Sequence, residues 1–578
     1  MRLSRALRAV LVAATALSLV ACAGLPTSGP VNVGLALGDD GDVPDFAQLA
    51  SGPMPGANPR EIVSGFLLAA ITPADDWATA REFLTEDLRD DWKPQAGVTI
   101  DSTVSSRVID ADVDEESEEA EDATAAAVRV QLDQVAELDG TGAYSEATGT
   151  ARTAFRLVRE KGGEWRISEA QDGIVLDADS FSRAYKKHAL QYFDQSWTHL
   201  VPDVRWFPAA WPTAADARRG SMATVITRAL VAGEPSPWLA PAVRSAFVGD
   251  VALARDAVPV DSSQVAEVAL TRAALSASGQ ALARMRTQLE ASLAGLGVSE
   301  VRFTVDGTTL EANRVALDPP ADSGVLVLTD DTFGSTRGVE VSPLSGITAQ
   351  IAKITEPIAA IDVAADGGMA AVQLTDGRVL AVSDGDTVVL DERAGLVAPS
   401  VDLFGFTWSV PRDRPSELSA WNREVEANRV AQAWPDAGSI SHLRVSSDGA
   451  RVAAVLSEGG QRRLVVAAVI RGEDGVPSQL GEVRDVARIA GTVQGLAWQG
   501  VDALLVLSAA TDPLLTTHIV GGPATAITAP DGALAINGAR SADGVRVLGS
   551  DGVLYAQRGS SWQEWLTGVR VLATRAGY

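Results

Sequence analysis

Cys22 is the only cysteine among 578 residues, and it closes the run Leu19-Val20-Ala21-Cys22 at the end of an apolar stretch of 13 residues, Ala9 to Ala21, interrupted only by Thr15 and Ser18. One cysteine makes no internal disulfide, and no Cys or His cluster with zinc-ligand spacing accompanies it. What remains is nucleophilic chemistry: a thiolate is the best of the common side chains at taking up an alkyl group. The four histidines, His188, His199, His442 and His518, are far apart in the sequence. The chain contains no phosphate-binding glycine loop, no HExxH, no CxxC and no GxSxG elbow. Its 75 acidic residues offer too many pairs for spacing to single out a glycosidase dyad. No catalytic, cofactor or metal residue is therefore assigned, and the chain reads as a non-enzyme without a cofactor.

Arg2, Arg5 and Arg8 precede the apolar stretch, which has the layout of a secretory signal: a basic end followed by a short apolar helix. A membrane span needs roughly 20 apolar residues, so this stretch is too short for a permanent anchor. Leu19 to Cys22 resemble the lipobox of bacterial lipoproteins, in which the signal is cut before a cysteine that carries a diacylglyceryl group. The resemblance makes Cys22 the first mature residue and the lipid attachment point, bearing S-diacylglycerol and an N-acyl chain. Two acyl chains, at ~0.8 kcal/mol per buried CH2, hold a protein on a membrane where one is marginal.

The formal charge of −27 argues against nucleic acid and against direct contact with anionic headgroups, so a lipid anchor has to supply the membrane attachment. Residues 23–59, rich in Gly and Pro and without a period, read as a flexible tether with a reach of roughly 30 to 35 Å.

Asn58, Pro59 and Glu61 form a helix start with N-cap, N1 proline and capping-box glutamate. In REIVSGFLLAAI the apolar pairs recur every four residues, giving one buried face. A second helix is expected over WATAREFLTEDLRDDW, with Trp77, Ala80, Leu84 and Leu88 inward and Pro94 as its stop. Alternation at Val128, Val130 and Leu132, and the hairpin pattern TAFRLVREKGGEWRISEA, then give an antiparallel sheet. The acidic segment 110–122 between strands lacks EF-hand spacing and reads as a solvated loop with no assigned role.

Further on, ALQYFDQ and LVPDVRWF read as strands, and MATVITRALVAGEPSPWL as a helix ended by Gly233 and Pro235. GQALARMRTQLEASLAGLG is a helix with Leu282, Met285, Leu289 and Leu293 on one stripe, followed by the strand SEVRFTVDG. That stripe reads as core. Trp206, Trp211 and Trp238 read as packing residues, with a glycan groove as the other option.

Beyond residue 325 short strands alternate with turns. Asp366, Asp448 and Asp543 sit in similar turns, and Trp408 and Trp498 lie midway between them at what reads as an equivalent place. The resulting period is that of a four-stranded propeller blade, and a ring of about six blades is expected, with the aspartates serving the turns.

This order of parts resembles the LpqB family of actinobacterial lipoproteins over essentially the whole chain. The match rests on CAGLPTSGPV, IVSGFLLAA, AREFLT and Trp92 with Pro94. LVPDVRW and RMRTQLEASLAGLGVSEVRFTVDG look like a GerMN domain. The resulting division is a signal peptide over 1–21, lipidated Cys22 and tether over 22–59, an N-terminal α+β domain over 60–182, a GerMN-like α+β domain over 188–316, and a β-propeller-like domain over 322–578. The fold class is multi-domain: two α+β domains followed by an all-β propeller-like domain.

The resemblance implies a membrane-anchored, extracytoplasmic lipoprotein that binds the extracellular domain of the sensor kinase MtrB and modulates MtrA/MtrB two-component signalling, with effects on cell division and cell-wall homeostasis. The alternative from the residues is a lipoprotein binding cell-wall glycan or peptidoglycan. A third option is a hydrolase with its site on the propeller axis, for which the sequence names no residue.

Overall fold

The computed structural model describes residues 51–112, 123–209, 215–247, 249–318, 324–472 and 474–577. Cys22, the tether up to residue 50, most of the acidic segment and Trp211 lie outside the described residues. All described residues belong to one compact unit, Ala50–Tyr578.

The N-terminal domain opens with helix Pro59–Ala69, capped as the sequence dictates: the Asn58 side chain accepts from Glu61 N at 2.8 Å, and the Glu61 carboxylate accepts from Asn58 N at 2.9 Å. Its buried face, Ile62, Val63, Phe66 and Leu67, lies on a sheet whose long members are Ala125–Asp139 and Tyr144–Arg159. Phe66 meets Trp92 at 5.2 Å and Phe155 at 5.8 Å between ring centroids. The sheet is antiparallel except at one edge, where Gly97–Asp101 runs parallel to Ile174–Asp177.

The second expected helix is two short ones, Ala78–Arg81 and Glu86–Asp91. The chain between them is recruited as a strand-like bridge: Thr85 N donates to Ile167 O and Ile167 N to Phe83 O, each at 2.9 Å. Sheet pairing there outcompetes helical periodicity. Trp77, Ala80 and Leu84 are buried as expected, while Leu88 is only half-buried.

In the second α+β domain, strands Val265–Ala269 and Glu300–Val305 are parallel and joined through helix Gly279–Leu293, as a parallel pair requires. Leu282, Met285, Leu289 and Leu293 are all buried, so the stripe is core. The helix closes through a 3-10 turn into Gly297, whose φ of 74° is left-handed. A separate hairpin, Tyr185–Asp194 with Leu200–Pro208, is extended by Val243–Arg244. Helix Ala215–Ala232 stops before Gly233, as read from the sequence.

The rest is a ring of six four-stranded blades among the described residues. Blades 1 to 5 begin with strands Ile358–Val363, Ser400–Val401, Ser439–Val445, Thr492–Gln499 and Ala533–Ile536, which are innermost. Blade 6 is built from both ends of the domain. The C-terminal strand Val569–Arg575 lies innermost and pairs antiparallel with Val325–Thr329, which continues to Phe333–Thr336 and Val341–Pro343. The same strand meets blade 1 in parallel at Asp362–Thr574 and Val363–Arg575, closing the ring. The first six residues of second strands such as Arg451–Glu458 and Ala503–Ala509 are all buried, because each blade is covered on both faces by its neighbours.

Asp366 and Asp448 sit in first-to-second strand turns, each accepting from the backbone N two residues on (Gly368 and Ala450, both 2.9 Å) and followed by left-handed Gly367 and Gly449. Asp543 instead occupies a 3-10 turn, Ala542–Gly544. Trp408 and Trp498 are not equivalent: Trp408 is on the second strand of blade 2, and Trp498 lies near the end of the first strand of blade 4. Blade 2 has strands of two or three residues, so its repeat is compressed and the even spacing is coincidental.

Candidate functional site

The titratable groups that sequence alone offers for chemistry do not converge. His188, His442 and His518 are each pushed down to about 4 by burial, so they stay neutral near pH 7. His518 Nε2 bonds Thr516 Oγ1 at 2.8 Å, His442 Nδ1 bonds Ser441 Oγ at 3.1 Å, and His199 Nδ1 bonds Thr198 Oγ1 at 2.9 Å. Among the described residues no group of three or more His, Cys, Asp or Glu is placed to hold a metal.

On the inner strands of the ring, Asp362 Oδ2 accepts from Val401 N at 2.8 Å. Burial pushes the Asp362 carboxyl up and the Arg444 guanidinium down, each opposed by the charge of the other. Trp498 Nε1 donates to Arg444 O at 3.1 Å, tying blade 4 to blade 3. The axial polar groups therefore hold neighbouring blades in place.

What does converge is the seam where the three folded parts meet. One continuous apolar core joins Ile226, Leu230, Met285 and Leu289 of the GerMN-like part to Val455, Val466, Val486 and Leu504 of blades 3 and 4. Trp206 lies on strand Leu200–Pro208 and touches all three parts. Its ring is 5.1 Å from Phe181 and 6.4 Å from Tyr144 in the N-terminal domain. Its Nε1 donates to Gly521 O of blade 4 at 2.8 Å, and its backbone N donates to Gly142 O at 2.8 Å. The space is tight enough to demand glycine on both sides. A Cβ on Gly142 would fall 2.6 Å from Trp206 O at a φ of +84°, and one on Gly522 would fall 2.8 Å from the indole Cζ2.

A buried polar network surrounds this anchor. Asp203 pairs with Arg205 at 2.8 Å and accepts from Ser236 N at 2.7 Å and Ser236 Oγ at 2.8 Å. Arg205 reaches Thr141, and Arg484 of blade 3 donates to Tyr144 O and stacks on Trp238 at 5.7 Å. Burial lowers the Arg484 guanidinium, and the Asp203 carboxylate works against that shift. Lys187 and Asp502 add an ion pair at 2.8 Å. Trp206 and Trp238 are thus packing residues of the seam, and no glycan groove forms from them.

Two clefts open along the seam. One, about 320 Å³, lies between loop 194–196, Arg244 and blades 2 and 3, with Phe404, Asp448 and Arg471 in its wall. The other, about 470 Å³, faces Glu146 and Thr148 across to Glu458, Arg463 and Asp485. There Arg463 bridges Glu458 at 3.0 Å and Asp485 at 3.1 Å, while desolvation and the Asp485 charge raise the Glu146 carboxyl. Of the cleft residues sequence reasoning singled out only Asp448, as a turn residue, since the two walls of each cleft come from positions hundreds apart and carry no local motif.

Three family models match consecutive stretches: the N-terminal domain of lipoprotein LpqB over 52–182, a sporulation and spore germination domain over 190–311, and the lipoprotein LpqB β-propeller domain over 331–572. Relatives named lipoprotein LpqB occur in Thermobifida fusca (27% identical, 87% of both chains), Streptomyces coelicolor (28%, 85% of this chain and 84% of that one) and Mycobacterium bovis (27%, 93% and 92%). No described helix is long and apolar enough to cross a membrane. With all three domain types matched in sequence order and full-length relatives of the same name, the chain belongs to the LpqB family of actinobacterial lipoproteins.

Proposed function

We propose that this lipoprotein is held by Cys22 on the extracytoplasmic face of the cell membrane, binds the extracellular domain of the sensor kinase MtrB, and modulates MtrA/MtrB signalling, so affecting cell division and cell-wall homeostasis. It acts by binding and not by turnover. The observation that carries this reading is the seam: three domains locked through Trp206, Asp203 and Arg484 present one fixed composite surface, suited to docking a partner domain without large ordering cost. The partner itself comes from the family resemblance. The alternative, a binder of cell-wall glycan, loses the support of Trp206 and Trp238, which are buried in the seam.

The test is binding of lipid-free residues 23–578 to the separately purified kinase ectodomain at near-physiological salt. Saturable binding supports the reading. No binding, with both proteins shown folded, overturns it and turns attention to retention on purified peptidoglycan.

A further inference from the structure

In a chain with net charge −27, two arginines converge on one indole without a counter-ion. Arg284 of helix Gly279–Leu293 lies 3.9 Å from the Trp197 ring centroid, and Arg244 lies 5.9 Å from the same ring. Among the described residues neither guanidinium has a carboxylate within ion-pair distance, and the one side-chain bond of Arg244 is its Nε to the neutral Gln195 amide at 2.7 Å. Like charges gathered at one ring repel, and an acidic protein has carboxylates to spare for neutralising them.

The loop that presents Trp197 is built to hold it. The Asp194 carboxylate accepts from Ser196 N at 3.2 Å and from Thr198 N and His199 N at 2.9 Å, and Trp197 itself is kept at a φ of +66°. A bulky residue in the left-handed region is costly unless its surroundings enforce it.

Arg244 also lines the 320 Å³ cleft between this domain and blades 2 and 3, a volume within the usual range for small-molecule sites. The acceptors in that cleft are already used. Asp194 serves its own loop, Asp448 serves Ser446, Ala450 N and Arg451, and the Gly449 and Gly475 carbonyls accept from Arg471. The unspent capacity is donors, the outer nitrogens of Arg244, since Arg471 in the wall is already paired with Asp402 at 2.7 Å.

We propose that this cleft, with Arg244 in its wall and Arg284 adding positive charge from the Trp197 ring that both arginines face, binds the oxyanion of a small ligand, a carboxylate or a phosphate, between the GerMN-like domain and the propeller. The site stands independently of any kinase contact.

The full chain in detergent is titrated calorimetrically at low salt with inorganic phosphate and, separately, with D-glucuronate, which distinguishes the two sources of the anion. Saturable binding of one of them is expected, weakened at least tenfold in Arg244→Glu and by a smaller factor in Arg284→Gln, which removes charge without removing a wall residue. Arg244 is exposed, so its variant should fold even where Arg284→Gln does not, and a thermal melt checks both. Failure of both anions to bind saturably overturns the proposal, as does equal binding by wild type and Arg244→Glu.

Discussion

The indole Nε1 of Trp206 donates to the carbonyl of Gly521 at 2.8 Å, across 315 positions of sequence, and the same ring packs 5.1 Å from Phe181 on its other side. A single side chain thus joins the N-terminal domain, the GerMN-like domain and blade 4. Trp206→Ala should cost about 3–5 kcal/mol through the cavity and the lost contacts. Trp206→Phe keeps much of the packing and gives up the hydrogen bond, about 1 kcal/mol. Chemical denaturation followed by two probes checks this, with the alanine variant separating transitions that coincide in the wild type.

Gly142 supports the same anchor from behind. Its φ of +84° and the 2.6 Å approach that an added Cβ would make to Trp206 O leave no room for a side chain. Gly142→Ala should therefore destabilise by more than about 1 kcal/mol, against the usual gain from replacing a flexible glycine. A lowered denaturation midpoint with unchanged slope is the expected signature.

Asp203 balances two buried cations and two donors from Ser236. Asp203→Asn leaves Arg205 without its charge partner, and breaking such a buried pair costs about 3–5 kcal/mol. Limited proteolysis should reveal it first, by cleavage between the N-terminal and propeller parts.

Local features of this fold were legible and distant ones were not. The capping box at Asn58 and Glu61 and the buried stripe Leu282 to Leu293 both depend on residues a few positions apart, where chain geometry dictates the contact. The helix expected through Phe83 and Leu84 does not form because Ile167, more than 80 residues on, offers backbone hydrogen bonds that the local pattern cannot announce. Trp408 and Trp498 share an even spacing although blade 2 is compressed, so equal intervals do not mean equal places. The seam rests on Trp206 with Gly521 and Arg484 with Tyr144, and the cleft on Arg244 with blades 2 and 3. Such pairings depend on how finished domains dock, which no periodicity encodes.

Acid should destabilise the body before carboxylates titrate in bulk. His188, His442 and His518 have folded values near 4 against about 6.5 unfolded. Between those values the unfolded chain binds more protons, so stability is full above pH 6.5 and falls as pH drops toward 4, by about 1–3 kcal/mol for each buried ring. Glu146 runs the other way, since its raised value favours the folded state at acid pH and that benefit fades as pH rises through it. Denaturation midpoints measured from pH 7.5 to 4 should decline, and His518→Gln should flatten part of the slope.

The ring is closed by its last strand. Val569–Arg575 pairs with Val325–Thr329 on one side and touches blade 1 on the other, and Ala576 N donates to Val363 O at 2.8 Å. A chain ending at residue 568 would leave blade 6 without its inner strand, exposing two apolar clusters built around Val327, Leu548 and Leu572, and around Leu326, Ile361 and Val571. Because the ring has no other closure, the loss spreads beyond one blade. The truncated protein should lose its cooperative unfolding transition and its near-ultraviolet circular dichroism, while Leu572→Asp, which breaks the same contact within a full-length chain, should reproduce most of that loss. A truncated chain that melts as sharply as the wild type would show that the closure contributes little.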